Sequence, residues 1–204
     1  MITIINYNAG NIKSIQNMLK RIGAKSIISS SDEEIAQADK LILPGVGSFD
    51  YGMKNLQQSG LIEILNEKVI NNKTPILGIC LGAQLLGNNS EEGVEKGLGW
   101  IDMDIVKFDK SKMTEQLKIP HMSWNEVTVS KKSMLMEGLE DKARFYFVHT
   151  YHMQPKDEND VLTNSNYGYE FVSAVEKENI FGVQFHPEKS HKFGMRLLQN
   201  FVNL

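Results

Sequence analysis

Cysteine is what this sequence has least of: one residue in 204, Cys80. A single thiol excludes an internal disulfide, so nothing in the fold calls for an oxidising compartment. Excess charge is missing too. With 22 Lys and Arg against 25 Asp and Glu, the net charge is -3, which gives no general pull toward nucleic acid or an anionic membrane. No apolar run approaches the roughly 18 residues of a membrane span, and Met1 to Tyr7 lacks the basic region and long apolar core of a signal peptide. There is no internal repeat and no low-complexity tract. These absences predict a soluble, cytoplasmic protein that binds neither nucleic acid nor membrane. At 204 residues and 41% hydrophobic content, the chain can build one well-buried domain, 1–204.

The lone cysteine sits in the most informative stretch, residues 73–87. Ile76, Leu77 and Ile79 form a short apolar run behind Thr74-Pro75, as in a buried parallel strand, and Leu81 to Leu86 reads as the start of a helix. Glycines at 78 and 82 flank Cys80 at two residues on either side, which suits a sharp strand-to-helix turn that leaves no room for neighbouring Cβ atoms. Gly-x-Cys-x-Gly is therefore read as a nucleophile elbow with a thiol at its tip. Such a turn puts the sulfur at the amino end of a helix, where unpaired amides favour negative charge. The competing reading is a small buried hydrophobe, the commonest role of a lone cysteine.

In chain order, Ile2 to Ile5 is a β run. Asn6 to Asn11 is a loop, and Ile12, Ile15, Met18, Leu19 and Ile22 keep helical spacing. Lys25 to Ser29 is a weak second strand. Ser31-Asp32-Glu33-Glu34 reads as a capping box, and Lys40 to Leu43 as a third strand. A βαβαβ start implies a mostly parallel, doubly wound α/β sheet with helices on both faces, whose site lies at the carboxyl ends of its strands. The loops 7–11 and 44–49 both fall at that edge. In the second, the glycines of Pro44-Gly45-Val46-Gly47 let backbone amides approach closely. An amide at Val46 or Gly47, with that of Leu81, could hold the oxyanion formed when a thiolate attacks an amide; each such donor is worth about 2.7–4 kcal/mol in the barrier.

Leu98 to Phe108 reads as a strand, residues 109–118 as an exposed polar loop, and Lys131-Lys132 as a solvated turn. The second half is richer in β segments, some antiparallel: Pro120 to Val127, Ala143 to Tyr151, Glu170 to Val175 and Ile180 to Phe185. A helix from about Lys192 to Phe201 closes the chain. Within Gly182-Val183-Gln184-Phe185-His186-Pro187-Glu188-Lys189-Ser190, Pro187 disfavours helical geometry at His186, so His186 should be extended and Glu188 should point the same way. An imidazole beside a carboxylate is what a thiol nucleophile needs: the base takes its proton, and the carboxylate orients the base.

Residues 76–84 and 182–190 resemble the two signatures of class I (triad) glutamine amidotransferases. The 44–47 loop, Pro120 to Asn125 and Tyr146 to Tyr151 resemble, within that family, the glutaminase subunits of imidazole glycerol phosphate synthase, and the likeness runs nearly end to end. The resemblance implies that Cys80, His186 and Glu188 are catalytic, with Val46, Gly47 and Leu81 forming the oxyanion hole through their amides. It implies that Gln84 and Glu92, with the backbone around His149, Thr150 and Tyr151, hold L-glutamine. It implies release of glutamate and passage of ammonia to a (β/α)8-barrel cyclase subunit that makes imidazole glycerol phosphate and AICAR in histidine biosynthesis. Asn11, Met122, Trp124, Asn125 and Lys189 match the family's partner-facing segments. No cofactor is implied.

Several positions depart from the family pattern: Ser123 for a common glycine, Ala83 for methionine, and Asn6-Tyr7-Asn8 for Asp-Tyr-Gly. They leave open a paralogous subunit that supplies ammonia for amidating a surface-glycan sugar. Other readings are a cysteine peptidase, a non-catalytic regulatory subunit, and a metal site from His149 and His152 with His121, His186 or His191. Trp124 as plain core and Lys189 as a plain surface charge are the bland alternatives at the interface.

Overall fold

A computed structural model describes residues 1–113 and 116–204. The chain starts with β1 (Ile2–Ile5), α1 (Ile12–Arg21), β2 (Ser26–Ser29), α2 (Asp32–Ala36) and β3 (Lys40–Gly45). Then come α3 (Phe49–Gln58) and α4 (Ile62–Asn66), the latter running into a π-helical turn at Glu67–Asn71. Next are β4 (Ile76–Cys80), α5 (Leu81–Gln84), β5 (Asn89–Ser90), β6 (Met103–Lys107), β7 (His121–Glu126) and β8 (Thr128–Val129). The rest is β9 (Arg144–His149), β10 (Tyr151–Pro155), β11 (Val161–Asn166), β12 (Glu170–Lys177), β13 (Ile180–Val183) and α6 (His191–Asn203). Among the described residues no helix is long and apolar enough to cross a membrane.

The main sheet runs β2-β1-β3-β4-β13-β12-β10-β6-β5, with β11 pairing β12 and β8. From β2 to β13 every pairing is parallel, and β4 lies between β3 and β13. Beyond β13 the strands turn antiparallel as far as β6, which β5 joins in parallel, and β7 pairs β9 antiparallel in a separate small sheet.

Alternation along the parallel strands makes two cores, because successive side chains leave opposite faces. Ile4, Ile42, Leu77 and Ile79 face Ile15 and Leu19 of α1 and Leu197, Leu198 and Phe201 of α6. Ile5, Leu41, Leu43 and Ile76 face Phe49, Met53 and Leu56 of α3 and Leu65 of α4. Each fully buried Leu, Ile or Phe gives about 1.5–3 kcal/mol of transfer free energy, so burial on both faces fixes the strand register. The fold is the α/β sheet expected, wound with helices on both sides and with an antiparallel portion in the second half.

The structure corrects several boundaries. Ser31 caps nothing with its side chain; its hydroxyl turns to the Glu33 carboxylate, so the capping box does not close. β3 runs on to Gly45, because Pro44 and Gly45 stay in register with Ile79 and Cys80. Leu98 to Asp102 is not strand: its amides fold back on Leu85, Leu86 and Gly87, and only Met103–Lys107 pairs in a sheet. The 143–151 segment is two strands in different sheets, β9 and β10, broken at Thr150. Lys132 is exposed, while Lys131 is half-buried and its ammonium bridges the carbonyls of Asn159 and Glu176. In the polar 109–118 stretch, Lys110–Lys112 forms a 3-10 turn capped by Asp109, and residues 114 and 115 lie outside the described residues.

Candidate active site

Cys80 ends β4 and begins α5, with φ 55° and ψ -112°. That backbone region is hostile to a side chain and persists only where surroundings over-determine it. The surroundings are tight. A Cβ on Gly82 would stand 1.9 Å from the Leu43 carbonyl oxygen, and one on Gly78 would stand 2.7 Å from that of Gly82. The flanking glycines therefore let α5 press against β3, as the elbow reading requires. The Leu81 amide, at the first position of α5, has no acceptor within the helix and is free to bind an anion.

β13 lies beside β4, with Val183 opposite Ile79, so the chain leaving β13 runs past Cys80. Residues 184–190 carry His186, the candidate base. The His186 main chain bonds to the Tyr146 carbonyl at 2.9 Å, and its Nδ1 stands 2.8 Å from Glu188 Oε1, both side chains almost wholly buried. His186 is extended, as expected. Glu188 reaches it differently: Pro187 opens a 3-10 turn, Pro187–Lys189, that carries the carboxylate round. The Ser190 hydroxyl ties this turn to the His186 carbonyl and accepts from the Tyr146 amide. Nδ1–H donates to Glu188, so Nε2 is unprotonated in the neutral ring; it is buried with no hydrogen-bond partner. Burial opposes charge on His186, but Cys80 and Glu188 outweigh it and raise the imidazole well above its ordinary value.

A cavity of about 200 Å³ opens beside the sulfur, lined by Gly47, Cys80, Leu81, Gln84, Glu92, Pro120, Val148, His149, Thr150 and Tyr151. All the residues expected to hold substrate are in that set, and so are Gly47 and Leu81. Val46 is not; its side chain is 44% exposed. Glu92 accepts the Phe49 amide at 2.7 Å, at the amino end of α3, where a carboxylate is favoured. Tyr7, one strand away, is buried and donates to the Pro44 carbonyl at 2.5 Å, pinning the base of the 46–48 loop.

A chain of hydrogen bonds borders the cavity. His149 Nδ1 lies 2.8 Å from the Tyr151 carbonyl, so it carries the proton. His149 Nε2 then accepts from His121 Nδ1 at 3.0 Å, and His121 Nε2 accepts from the Ser123 hydroxyl at 3.1 Å. Ser123, one of the departures from the family pattern, therefore completes this chain. The histidines weighed as metal ligands are otherwise engaged: His152 pairs with the Tyr169 hydroxyl and His191 stacks on Trp124. Among the described residues no three His, Cys, Asp or Glu side chains gather as a ligand set.

The segments expected at a partner face do lie near one another. Met122 and Trp124 are exposed on β7. Trp124 pairs across the small sheet with Tyr146, over whose ring Lys189 holds its ammonium at 5.5 Å. α1, which Asn11 starts, packs against the 187–189 turn. Asn125 is half-buried, and its carboxamide donates to the Asn166 carbonyl at 2.7 Å. Sequence reasoning assigned no role to Gln184, whose carboxamide contacts both Gln84 and Cys80. A signal was available, since it stands two residues before His186 in an extended run and so shares its side.

Comparison with known proteins agrees with this geometry. The profile of the family described as glutamine amidotransferase class-I matches residues 3–204. A Pseudomonas aeruginosa protein named imidazole glycerol phosphate synthase subunit HisH 2 is 54% identical over 204 residues, all of both chains. One of the same name from Methanococcus maripaludis is 56% identical over 202 residues, 99% of this chain and 98% of its own. Among solved structures, one titled crystal structure of glutamine amidotransferase superposes with a TM-score of 0.75 at 19% identity, covering 100% of this chain and 98% of its own; at that identity the likeness speaks for the fold. The chain belongs to the class-I glutamine amidotransferases, among the HisH subunits of imidazole glycerol phosphate synthase.

Proposed function

We propose that the chain is a single-domain, cytoplasmic glutaminase subunit that hydrolyses L-glutamine by a Cys80 thioester and delivers the ammonia to a (β/α)8-barrel cyclase making imidazole glycerol phosphate and AICAR. The observation that carries the reading is a strained elbow cysteine that opens on a small cavity lined by Gln84 and Glu92 and is coupled to a buried His186–Glu188 pair. The Cys80 thiol gives its proton to His186 Nε2 as the sulfur attacks the side-chain amide carbon. The carbonyl oxygen takes the electron pair and is held by the Leu81 amide and an amide of the Val46-Gly47 loop. His186 gives its proton to the nitrogen as the C–N bond breaks, leaving ammonia and a thioester. Water then gives a proton to His186 and adds to the thioester, and collapse releases glutamate and restores the thiol. Glu188 holds the imidazole in the tautomer that this proton shuttle needs.

Glu92 and Gln84 suit the ammonium and carboxylate end of the substrate, one by charge and the other by amide hydrogen bonds. The exposed Met122 and Trp124, with Lys189 over the neighbouring Tyr146 ring and Asn11 exposed at the head of α1, suit a protein partner over open solvent. Unshared hydrolysis would waste ammonia, and the isolated chain is accordingly a poor glutaminase.

The test is glutamate release from glutamine, by the chain alone and with the cyclase subunit from the same genome. The expected result is slow turnover alone and strong stimulation by the cyclase. Turnover indifferent to the cyclase would overturn the partner assignment, and undiminished turnover by Cys80→Ser would overturn the mechanism.

A further inference from the structure

Gln184 has no part in the steps above, yet it is wholly buried against the reacting sulfur. Its main-chain amide bonds to the Ser173 carbonyl at 2.9 Å, which continues the β12–β13 pairing and fixes where its side chain starts. The carboxamide then spans two partners. One end lies 3.8 Å from Cys80 Sγ, and the other lies 3.0 Å from the carboxamide of Gln84.

Which end is which follows from hydrogen-bond direction. The Gln84 carboxamide also contacts the Tyr151 carbonyl at 3.2 Å. A carbonyl only accepts, so Gln84 presents its NH2 there, and the group meeting that same NH2 at 3.0 Å must be an acceptor. That acceptor is the oxygen of Gln184. Its NH2 is thereby turned toward the sulfur. The Tyr151 carbonyl is itself held by His149 Nδ1–H, so the orientation is fixed from the far side of the cavity.

We infer that Gln184 is a catalytic hydrogen-bond donor to the Cys80 sulfur, with Gln84 acting as the positioning residue that aims it. The inference rests on the reading of Cys80 as nucleophile. An N–H···S contact is weak to a neutral thiol and stronger to a charged one, so the donor raises the share of thiolate available for attack and stabilises the sulfur as it leaves the thioester. No proton is transferred by Gln184. Gln84 thus has two duties, since the residue lining the substrate cavity also orients the group on the nucleophile. A buried glutamine that merely satisfied its own polar atoms would leave the reactivity of the sulfur unchanged.

Alkylation by iodoacetamide at fixed pH reads that reactivity directly, because Cys80 is the chain's only thiol. Gln184→Met keeps length and volume but removes the donor; Gln84→Met keeps Gln184 but releases its orientation. The expected result is alkylation about tenfold slower in Gln184→Met, equivalent to about 1.4 kcal/mol, with a lower kcat and a smaller change in KM for glutamine in the cyclase complex. Gln84→Met is also slower, and the double variant is no slower than Gln184→Met alone, because both changes break one arrangement. A Gln184→Met protein that folds and alkylates at the wild-type rate would overturn the inference. Should Gln184→Met not fold, wild-type alkylation of Gln84→Met would do so. Wild-type enzyme that keeps its glutaminase activity after complete alkylation would instead sink the Cys80 mechanism itself.

Discussion

Acidification puts the buried histidine chain to a quantitative test. His121 is sealed from solvent between Tyr167, stacked at 4.0 Å, and Phe147, at 4.9 Å, and burial lowers its pKa from 6.5 to about 4. His149 lies well below the ordinary value, through burial first and then the neighbouring His121, His152 and His186, against the opposing bond to Tyr151. Burial lowers His152 as well. In the unfolded chain all three take protons near their ordinary pKa, while in the folded chain they stay neutral. The stability they supply is therefore present above pH 6.5 and is lost as the pH falls toward their folded values. For His121 alone, moving from about pH 7 to about pH 5 removes on the order of 2 kcal/mol by linkage. The other two histidines add to the loss with the same sign. His186, raised by Cys80 and Glu188 against its burial, has the opposite dependence: its contribution is complete at low pH and fades only as the pH climbs. The exposed carboxylates with lowered pKa, Asp50, Asp102, Asp109 and Glu178, lose their contributions only below this interval. Urea unfolding followed by the fluorescence of the buried Trp100 at several pH values across the interval measures the slope. His121→Gln should be weaker at neutral pH yet lose less on acidification than the wild type. Wild-type stability that is flat or rising toward about pH 5, or a His121→Gln slope equal to the wild type's, would refute the reasoning.

Three further outcomes follow from the elbow and its base. Gly82→Ala forces a methyl into the Leu43 carbonyl at 1.9 Å, so it should cost about 3 kcal/mol or more in urea unfolding and remove glutaminase activity with it. Cys80 sits at positive φ, and so Cys80→Gly should be more stable than Cys80→Ala by about 1 kcal/mol, although both are inactive. Glu188→Gln leaves the packing of the 187–189 turn intact but unbalances His186. In the cyclase complex kcat/KM for glutamine should fall roughly 10²–10⁴-fold with little change in KM, as measured by glutamate release.

Much of this architecture could be read from the chain because short-range patterns and tertiary demands coincide. The parallel strands β1, β3 and β4 are apolar on both faces, and the two glycines around Cys80 have a single steric reason to be there. What was not legible depended on partners distant in sequence. Leu98 to Asp102 is as apolar as a strand, but its amides are taken by Leu85 to Gly87, and nothing local to the segment records that. The 143–151 run reads as one strand, yet its two halves belong to different sheets, since β9 pairs β7 while β10 pairs β6. Ser31 has the spacing of a cap, but a neighbouring carboxylate claims its hydroxyl. The site divides in the same way. Cys80, His186 and Glu188 announce themselves because each lies in a motif with a backbone requirement of its own, a turn or a proline. The carboxamide of Gln184 meets Cys80 and Gln84 only across the fold, Gln84 lying a hundred residues earlier, and Ser123 has its place only through His121 and His149. Such roles are properties of a hydrogen-bond network, whose direction is set by the one member that can only accept, here the carbonyl of Tyr151. Residues of this kind become visible only once the strands that carry them have been laid side by side.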